Sequence, residues 1–491
     1  MASTGRSGRA VMVLGTTSGA GKSWLATGLC RWYARQGLKV APFKAQNMSN
    51  NARVVPTPGG PMGEIGSAQY FQALAARVSP DVRMNPVLLK PEGDCASQFV
   101  LLGQVDEALS RMPWHERSDA VWSRVLAALD ELKAEHDLLV IEGAGSPAEV
   151  NLAHSDYVNV RSAVAANAAC LLVTDIDRGG AFAHLYGTHQ LMPAEGRALV
   201  RGFVLNKFRG DATLLEPGPT RLQQLTGVPT VAVLPLWREH GLPEEDGVYD
   251  AGPYSSAAPG VVKIAVVAYP HISNLDELQA LRRLPGLHLH WACSAAELEG
   301  AHWILLPGSK HTLGDLAWVR ERGLDAIIAA HAAFGGVVLG LCGGLQMLGQ
   351  TLHDPHGFGS LGAGTTLGLG LLPLATVFER NKLLQRTRAR FTTPSLAFAA
   401  LSGLEFDGYE IHQGRTTPIG SCTAVLRNSD GKDLGWQCGS VMGLYAHGMF
   451  ESADVLKALF SVHAPRLDEV FDGLADFIDR HFEPGFLRGL L

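Results

Sequence analysis

Short apolar runs that alternate with longer helical stretches constrain the fold of this chain more than any other feature. Strands buried on both faces are continuous runs of Val, Leu and Ile, and their alternation with helices is typical of βαβ units in a parallel sheet. In the first half such runs are Ala10–Gly15, Leu38–Phe43, Asp137–Glu142, Cys170–Thr174, Gly202–Leu205 and Thr230–Leu234. Helices are predicted between them at Lys22–Gln36, Ser67–Val78, Asp119–Ala134 and Pro219–Leu225.

A change of composition after residue 240 predicts a domain boundary. Proline, glycine, serine and acidic residues accumulate up to residue 260, which is typical of a linker. A second α/β series follows, with apolar runs at Val262–Ala268, Leu287–Trp291, Trp303–Leu306 and Gly336–Leu341 and a largely helical tail at Ser452–Phe482. We therefore expect two α/β domains, residues 1–240 and 261–491, joined by a linker at 241–260.

The chain is unusually rich in glycine and poor in charge, which raises the question of a membrane segment. It has 491 residues, including 56 glycines, and 18% are charged, against about 25% in average soluble proteins. The uncharged run Ala332–Leu352 approaches the roughly 20 apolar residues that a spanning helix needs. The pairs Gly335-Gly336 and Gly343-Gly344 interrupt it, so that strand, turn and helix are predicted there, and no membrane partner is expected.

Charge and cysteine content exclude further classes. A net charge of -6 offers no basic surface for nucleic acid. The seven cysteines are scattered without a Cys-x-x-Cys pair, which argues against a disulfide framework or a zinc site. The first nine residues contain no apolar stretch typical of a secretory signal, so that a cytoplasmic location is expected.

A glycine-rich loop between a predicted strand and a predicted helix indicates phosphate binding. Gly15 leads through Gly19 and Gly21 into Lys22 and Ser23. In a P-loop the backbone N–H groups surround the phosphates, the lysine reaches the β and γ oxygens, and the serine hydroxyl binds magnesium. The usual motif has glycine at the position of Thr16, and the alternative is an ordinary strand-to-helix turn.

Two charged residues end neighbouring predicted strands and could serve the same site. Ligand-binding groups of a parallel sheet lie at the carboxyl ends of its strands. Glu142 ends a buried strand there and is a candidate magnesium ligand, although a solvated strand-end acid would have the same pattern. Lys44 ends the second strand, where a solvated surface lysine is the alternative.

A cysteine between two glycines indicates a second active site. Gly340-Leu341-Cys342-Gly343-Gly344 follows an apolar strand and opens a helix, the form of a nucleophile elbow with cysteine as nucleophile. A thiolate nucleophile needs a histidine base, and His447, after an apolar strand and before a glycine, is the best placed. The turn at Gly308 could supply an oxyanion donor, or could simply be a turn.

From about residue 10 to 485, the chain resembles the glutamine-hydrolysing adenosylcobyric acid synthases of cobalamin biosynthesis. The segments that carry this resemblance are Gly15–Ser23, Pro42–Asn50, Gly63–Gln69, Asn85–Pro91, Glu142–Glu149, Asp175–Gly180, Leu205–Asp211, Gly340–Gly344, Gly408–His412 and Tyr445–Phe450. The resemblance implies a doubly wound, dethiobiotin-synthetase-like P-loop domain followed by a class I glutamine amidotransferase domain. It also implies a ligase that uses ATP, Mg²⁺ and glutamine to amidate the b, d, e and g carboxylates of adenosylcobyrinic acid a,c-diamide.

The resemblance also implies roles for individual residues. Cys342 is the expected nucleophile and His447 its base, with Gly308 and Gly343 in the oxyanion and glutamine site. Expected ATP-binding residues are Thr17, Gly19, Gly21, Lys22, Ser23 and, as an adenine contact, Asn206. Magnesium is expected at Ser23, Glu142 and Glu64, and the corrinoid at Lys44, Gln46 and Asn47. The polar loop Gln46–Ser67 is the expected corrinoid-binding loop, and its alternative is a disordered surface loop.

One departure from the family pattern concerns the glutaminase. Many class I amidotransferases have a glutamate two residues after the histidine, where this chain has Met449. Either a Cys–His dyad suffices or a group elsewhere, such as Glu410, orients the histidine. Two functional alternatives are also open, namely a cobyrinic acid a,c-diamide synthase and a non-catalytic P-loop scaffold. The oligomeric state is undetermined.

Overall fold

In the computed structural model, residues 8–91, 97–238, 240–243, 261–357 and 362–491 are described. The chain forms two compact units. The first comprises Met1–Ser49, Val55–Leu242 and Arg466–Leu491, and the second comprises Asn50–Val54 and Pro243–Pro465. The predicted division into 1–240 and 261–491 therefore differs at two segments: Asn50–Val54 belongs to the second unit, and Arg466–Leu491 belongs to the first. The expected linker, from residue 244 onwards, lies outside the described residues.

The part of the chain up to residue 243 contains twelve strands, eight α-helices and two short 3-10 helices among its described residues. The strands are β1 (Arg9–Gly15), β2 (Val40–Phe43), β3 (Gln46–Met48), β4 (Ala52–Val55), β5 (Gly63–Gly66), β6 (Val87–Pro91), β7 (Ser97–Leu101), β8 (Gln104–Val105), β9 (Leu138–Glu142), β10 (Ala169–Asp175), β11 (Val200–Phe208) and β12 (Thr230–Pro235). The helices are α1 (Lys22–Arg35), α2 (Ser67–Ala75), α3 (Glu107–Arg111), α4 (Trp114–Glu135), α5 (Val160–Ala166), α6 (Ala181–Leu191), α7 (Ala194–Arg197) and α8 (Gly218–Thr226). The 3-10 helices are Val82–Met84 and Ala212–Leu215.

The first unit is built on a parallel sheet, as the apolar runs predict. Its strand order is β12-β11-β10-β1-β9-β2, and each of its strand pairs is parallel. The central strands β1, β9 and β10 are apolar except near their ends, because both faces are covered. A smaller sheet of order β3-β6-β7-β8 contains the beginning of the expected corrinoid-binding loop. The phosphate loop and Glu142 follow the neighbouring strands β1 and β9, at the same edge of the large sheet.

The rest of the chain contains thirteen strands, eight α-helices and three 3-10 helices among its described residues. The strands are β13 (Val262–Val267), β14 (Ile272–Ser273), β15 (Leu287–Ala292), β16 (Trp303–Leu306), β17 (Gly308–Ser309), β18 (Val337–Leu341), β19 (Thr351–Asp354), β20 (Gly364–Leu367), β21 (Leu374–Phe391), β22 (Glu405–Pro418), β23 (Thr423–Asn428), β24 (Asp433–Cys438) and β25 (Val441–Leu444). The helices are α9 (Gln279–Arg282), α10 (Ala295–Leu298), α11 (Thr312–Glu321), α12 (Leu324–Ala333), α13 (Gly343–Leu348), α14 (Ala453–Phe460), α15 (Leu467–His481) and α16 (Phe486–Gly489). The 3-10 helices are Leu275–Leu278, Leu396–Leu401 and Met449–Glu451.

The second unit contains a mixed sheet whose parallel part carries the cysteine elbow. The strands β15, β13, β16, β18 and β25 are parallel neighbours in that order, and antiparallel pairing continues through β24 and β23 to β21. The run Ala332–Leu352 forms the end of α12, strand β18, a turn at Cys342 and helix α13, as its glycines predict. No helix in the described ranges is long and apolar enough to cross a membrane.

The tail Ser452–Phe482 is largely helical, as predicted, and forms the two helices α14 and α15. Helix α14 ends at Ser461, which has a left-handed φ of 56°. Helix α15 belongs to the first unit and buries an apolar stripe against α1. An ideal Cβ on Gly28 of α1 would lie 2.4 Å from Cδ1 of Ile478, so that glycine allows this close approach. Nε1 of Trp32 donates to Asp479 at 2.8 Å, and Arg31 is paired with Asp468.

Candidate active sites

The loop between β1 and α1 has the geometry of a phosphate-binding loop. Gly19 and Gly21 have positive φ angles of 71° and 95°, which favour glycine. An ideal Cβ on Gly21 would lie 2.1 Å from the amide nitrogen of Asn206, so that no larger residue fits there. Nζ of Lys22 turns back over the loop and donates to the carbonyls of Thr17 at 2.9 Å and Gly145 at 3.0 Å.

Thr16, at the position where the usual motif has glycine, fits the loop without strain. Its φ is not positive, so the position does not need glycine. Its buried hydroxyl lies 2.9 Å from that of Thr174 at the end of β10. The departure from the usual spacing therefore replaces a glycine with a hydrogen bond that ties the loop to the sheet.

Glu142 is the centre of a buried polar cluster at the carboxyl end of β9. Its Oε1 accepts from Oγ of Ser23 at 2.8 Å and from Nζ of Lys44 at 2.7 Å, and its Oε2 accepts from Gln72. Burial alone raises the pKa of this carboxyl, but the charge of Lys44 and these hydrogen bonds outweigh burial and lower it. Glu142 is therefore ionised at neutral pH, and Lys44 is a buried ion-pair partner rather than a surface lysine.

The donor set at Ser23 and Glu142 fits magnesium. Both offer oxygen, the ligand type that Mg²⁺ prefers, and Mg²⁺ is usually held by one or two protein groups with phosphates and water completing the shell. In the described ranges no cluster of three or more His, Cys, Asp or Glu forms a metal site of its own. Glu64, the other expected ligand, lies on β5 and forms a buried ion pair of 2.5 Å with Lys90 of β6.

Asn206 supports the phosphate loop directly. Its Nδ2 donates to the carbonyl of Ala20 at 2.9 Å, and its Oδ1 accepts from the backbone of Lys207 at 2.9 Å. Nζ of Lys207 adds hydrogen bonds to Gly19 at 2.8 Å and to Asp175 at 3.0 Å. Both ends of the Asn206 amide are thus engaged within the protein, next to the phosphate loop.

The other expected corrinoid contacts lie on β3. Oε1 of Gln46 accepts from the hydroxyl of Tyr157 at 2.6 Å. Asn47 is buried, and its Oδ1 accepts from the backbone of Met48 at 3.0 Å. The loop that begins here, Gln46–Ser67, contains the short strands β3, β4 and β5 and is thus an ordered part of the protein.

Cys342 occupies a strained turn at the end of β18. Its φ of 50° and ψ of −102° lie outside the regions that a side chain normally prefers. An ideal Cβ on Gly340 would lie 2.7 Å from the carbonyl carbon of Gly344, and one on Gly344 would lie 1.9 Å from the carbonyl oxygen of Leu306. These glycines allow the turn to form. Sγ of Cys342 donates to the carbonyl of Ile411 at 3.5 Å.

His447 stands beside this cysteine and is oriented by a glutamate that the sequence did not reveal. Nδ1 of His447 lies 2.9 Å from Oε1 of Glu277, and the backbone of Gly448 donates to Oε2 at 3.2 Å. Burial lowers the pKa of His447, but the charge of Glu277 and the interaction with Cys342 outweigh burial and raise that pKa to about 10. The three side chains form a Cys–His–Glu triad in which the imidazolium is the favoured form.

Glu410 does not orient His447. Its Oε2 lies 3.0 Å from Nε2 of His412, whose ring stacks on Tyr445 at a centroid distance of 3.9 Å. Burial lowers the pKa of His412 and outweighs the neighbouring Glu410 charge. The carboxylate that contacts His447 is instead that of Glu277, which lies outside the position that the family pattern gives to residue 449.

Gly308 and Gly343 lie at the edge of the triad, where an oxyanion site is expected. An ideal Cβ on Gly308 would lie 3.4 Å from Cε1 of His447, and one on Gly343 would lie 2.7 Å from the backbone nitrogen of Ser309. Gly343 opens α13, and the first N–H groups of a helix have no partner within it. Oγ of Ser309 donates to buried Asp315 at 2.6 Å and fixes the turn.

Each triad member follows a different strand of one parallel array. Glu277 follows β13, Cys342 follows β18, and His447 follows β25, while the Gly308 turn follows β16 between β13 and β18. The sequence indicated the cysteine and the histidine, but Glu277 lies ten residues beyond the end of β13 and carries no motif. The one feature that could have pointed to Glu277 is that it comes after the carboxyl end of a strand in the same parallel array. Gln72 on α2, missed in the same way, had no signal of its own.

Comparison with known proteins identifies two domains and a family. Residues 11–243 match the CobQ/CobB/MinD/ParA nucleotide binding domain, and residues 263–455 match the CobB/CobQ-like glutamine amidotransferase domain. The chain is 67% identical to the cobyric acid synthase of Methylibium petroleiphilum, with 98% of this chain and 97% of that protein covered. It is 64% identical to those of Leptothrix cholodnii (98% and 97% covered) and Variovorax paradoxus (98% and 99% covered). The chain belongs to the cobyric acid synthase family.

Proposed function

We propose that this protein converts adenosylcobyrinic acid a,c-diamide to adenosylcobyric acid by amidating its b, d, e and g carboxylates with ATP and glutamine. Two separate buried sites on one chain support this assignment. The second unit has a nucleophile, base and orienting acid suited to amide hydrolysis, and the first has a loop and carboxylate suited to MgATP. A ligase that draws ammonia from glutamine needs both.

The glutaminase step uses Cys342, His447 and Glu277. Sγ of Cys342 attacks the side-chain carbonyl of glutamine, and His447 donates a proton to the leaving ammonia. Backbone N–H groups at Gly308 and Gly343 stabilise the oxyanion. Water then hydrolyses the glutamyl thioester, with His447 as the base. Glu277 keeps Nδ1 protonated and thereby directs Nε2 toward the reaction.

The ligase step uses the phosphate loop and the Glu142 cluster. Lys22 and the loop N–H groups bind the phosphates, while Ser23 and Glu142 hold Mg²⁺, which neutralises phosphate charge when bound. A corrinoid carboxylate oxygen forms a bond to the γ-phosphorus and ADP leaves. Ammonia then attacks the acyl carbon and phosphate leaves, which gives the amide. Phosphorylation is needed because oxide is a very poor leaving group. We place Gln46 and Asn47 among the corrinoid contacts, and Glu64 would be a further magnesium ligand.

The observation that carries the proposal is the pairing of His447 with Glu277 beside Cys342, in the same chain as a glycine-rich loop whose Ser23 is hydrogen-bonded to Glu142. A non-catalytic P-loop scaffold would have no need to maintain a strained Cys342 beside an oriented base. A cobyrinic acid a,c-diamide synthase would share both sites, so that the substrate alone separates it from the proposed enzyme.

The test measures ADP formation with glutamine and either cobyrinic acid or its a,c-diamide, at equal concentrations. We expect the a,c-diamide to drive ADP release and cobyrinic acid to give only background. Preferential turnover of cobyrinic acid would overturn the proposal in favour of the a,c-diamide synthase. ADP formation with neither, by protein that binds ATP and hydrolyses glutamine, would overturn both assignments.

A further inference from the structure

Five residues from the first half of the sequence are part of the glutaminase unit. Asn50–Val54 clusters with the second unit, whereas Ser49 and Val55 on either side belong to the first. We call Asn50–Val54 the inserted segment. It lies within the proposed corrinoid-binding loop, three residues after Asn47. The chain therefore passes through the glutaminase unit near the start of this loop.

The inserted segment is hydrogen-bonded to the 3-10 helix that carries Glu277. Oδ1 of Asn51 accepts from the backbone of Leu275, the first residue of that helix, at 2.7 Å. The backbone of Ala52 donates in turn to Oδ1 of Asn274 at 3.1 Å. Asn274 has a left-handed φ of 54°, a conformation that asparagine tolerates better than most residues. The start of the Glu277 helix is thus fixed by the inserted segment.

Arg53 extends this attachment to the other side of the triad. Its guanidinium forms ion pairs of 2.5 Å with Asp276, next to Glu277, and with Glu451, shortly after His447. Arg53 is only 1% exposed. A buried guanidinium in such a position is held firmly, since leaving either carboxylate without its partner is costly. One side chain therefore connects the two segments that carry the acid and the base.

Tyr409 completes the path from Arg53 to His447. The guanidinium carbon of Arg53 lies 5.0 Å from the centroid of the Tyr409 ring. That ring stacks on His447 with a centroid distance of 5.2 Å and an interplanar angle of 19°. The backbones of Tyr409 and His447 exchange hydrogen bonds at 3.3 and 2.9 Å. Arg53 thus contacts the Tyr409 ring that stacks on the imidazole, while Glu277 contacts the imidazole at Nδ1.

We propose that Arg53 is a positioning residue of the glutaminase, and that the inserted segment couples the corrinoid-binding loop to glutamine hydrolysis. A shift of the loop would be transmitted through Asn51 and Arg53 to the Glu277 helix, and from there to His447. Such coupling would limit ammonia release to times when the ligase site is filled. The coupling rests on the proposed function, whereas the positioning of His447 by Arg53 does not.

The test compares Arg53→Gln and Arg53→Lys with Arg427→Gln, which removes an exposed ion pair with Asp433 in the same unit. The first readout is the ratio of glutamine-dependent to ammonia-dependent amidation, and the second is the kcat and KM of glutamine hydrolysis. We expect Arg53→Gln to lower the ratio and the glutaminase kcat about tenfold or more, with a smaller change in KM. Arg53→Lys should recover part of the loss, and Arg427→Gln should match the wild type.

A third readout needs no corrinoid and is the pH profile of Cys342 alkylation by iodoacetamide. Arg53→Gln should change this profile if Arg53 positions His447. A separate measurement, with ATP and the a,c-diamide added, tests the coupling: the addition should accelerate wild-type alkylation but not that of Arg53→Gln. If Arg53→Gln does not fold, Asn51→Ala is measured instead, with the same expectation. An unchanged amidation ratio together with an unchanged alkylation profile would overturn the proposal. Altered alkylation without any corrinoid turnover by the wild type would support the positioning role while overturning the proposed function and the coupling.

Discussion

Nδ1 of His447 lies 2.9 Å from Oε1 of Glu277, a residue 170 positions earlier in the chain. Both side chains are buried, and the backbone N–H of Gly448 donates a second hydrogen bond to the same carboxylate. The glutaminase therefore has an orienting acid, but it comes from a strand end other than the one that carries the histidine.

Replacing Glu277 by glutamine is expected to lower the pKa of His447. The folded-state pKa of about 10 lies above the ordinary value near 6.5, so that the Glu277 interaction stabilises the fold fully below pH 6.5 and is lost as the pH rises through 10. Without the carboxylate charge, the imidazolium that accompanies the Cys342 thiolate is less populated at neutral pH. If the pKa of His447 returns to its ordinary value near 6.5, only about a quarter of the imidazole is charged at pH 7, and we expect Glu277→Gln to slow Cys342 alkylation there about fourfold.

Peptide mapping by mass spectrometry after iodoacetamide treatment measures this rate for Cys342 alone. Glu405→Gln, which removes an exposed carboxylate paired with Arg388 in the same unit, is the control and should leave the rate unchanged. Equal alkylation of Glu277→Gln and wild-type protein across the pH range would contradict the triad assignment.

Cys342→Ala is expected to separate the two half-reactions. The substitution removes the nucleophile, so glutamine-dependent amidation should be lost. Ammonia supplied as an ammonium salt should still be incorporated, because the ligase site lies in the other unit. Initial rates with each nitrogen source measure the effect. Loss of the ammonia-dependent rate in a folded variant would argue against two independent sites.

Glu142→Gln is expected to disable the ligase and spare the glutaminase. The change removes a proposed magnesium ligand and leaves buried Lys44 without its pairing charge, so that a stability loss of about 3–5 kcal/mol accompanies it. The ammonia-dependent rate should fall about a hundredfold and require more Mg²⁺. Magnesium titrations and thermal denaturation test this expectation. The exposed Glu149, in the same loop, provides the control Glu149→Gln, and a similar Mg²⁺ requirement in both variants would count against the metal role.

Asn206→Ala distinguishes support of the phosphate loop from recognition of adenine. Because the Asn206 amide is engaged with Ala20 and Lys207, its loss should weaken all nucleotides alike. We expect a higher KM for ATP, by about fivefold to thirtyfold for a loss of one to two kcal/mol. Kinetics with ATP and GTP provide the measurement. A selective loss of preference for ATP over GTP would instead assign the adenine contact to Asn206.

Much of the fold is predictable because its signals are local. The buried strand predicted at Asp137–Glu142 is found at Leu138–Glu142, since apolar composition and strand length are visible in the sequence. The placement of the tail is not predictable in this way. Helix α15 is amphipathic wherever it lies, and its place on the first unit depends on long-range contacts such as those of Ile478 with Gly28 and of Asp479 with Trp32. The inserted segment depends likewise on long-range contacts of Asn51 and Arg53.

The same distinction applies to the sites. Glycine spacing marks the turn around Cys342 because a strained turn needs glycines at fixed positions. The role of Glu277 depends on where a short 3-10 helix is placed after β13, which no spacing encodes. Lys44 shows an intermediate case, since its position at a strand end was visible, whereas its burial against Glu142 was not.

The central claim is tested most directly by counting the nitrogen atoms that the enzyme transfers. Adenosylcobyrinic acid a,c-diamide is incubated to completion with ATP, Mg²⁺ and glutamine labelled with ¹⁵N at the side-chain amide, and the corrinoid is analysed by mass spectrometry. The proposed function predicts a product with four ¹⁵N atoms, formed through species with one, two and three. A corrinoid that acquires no label from an active, folded preparation would contradict it.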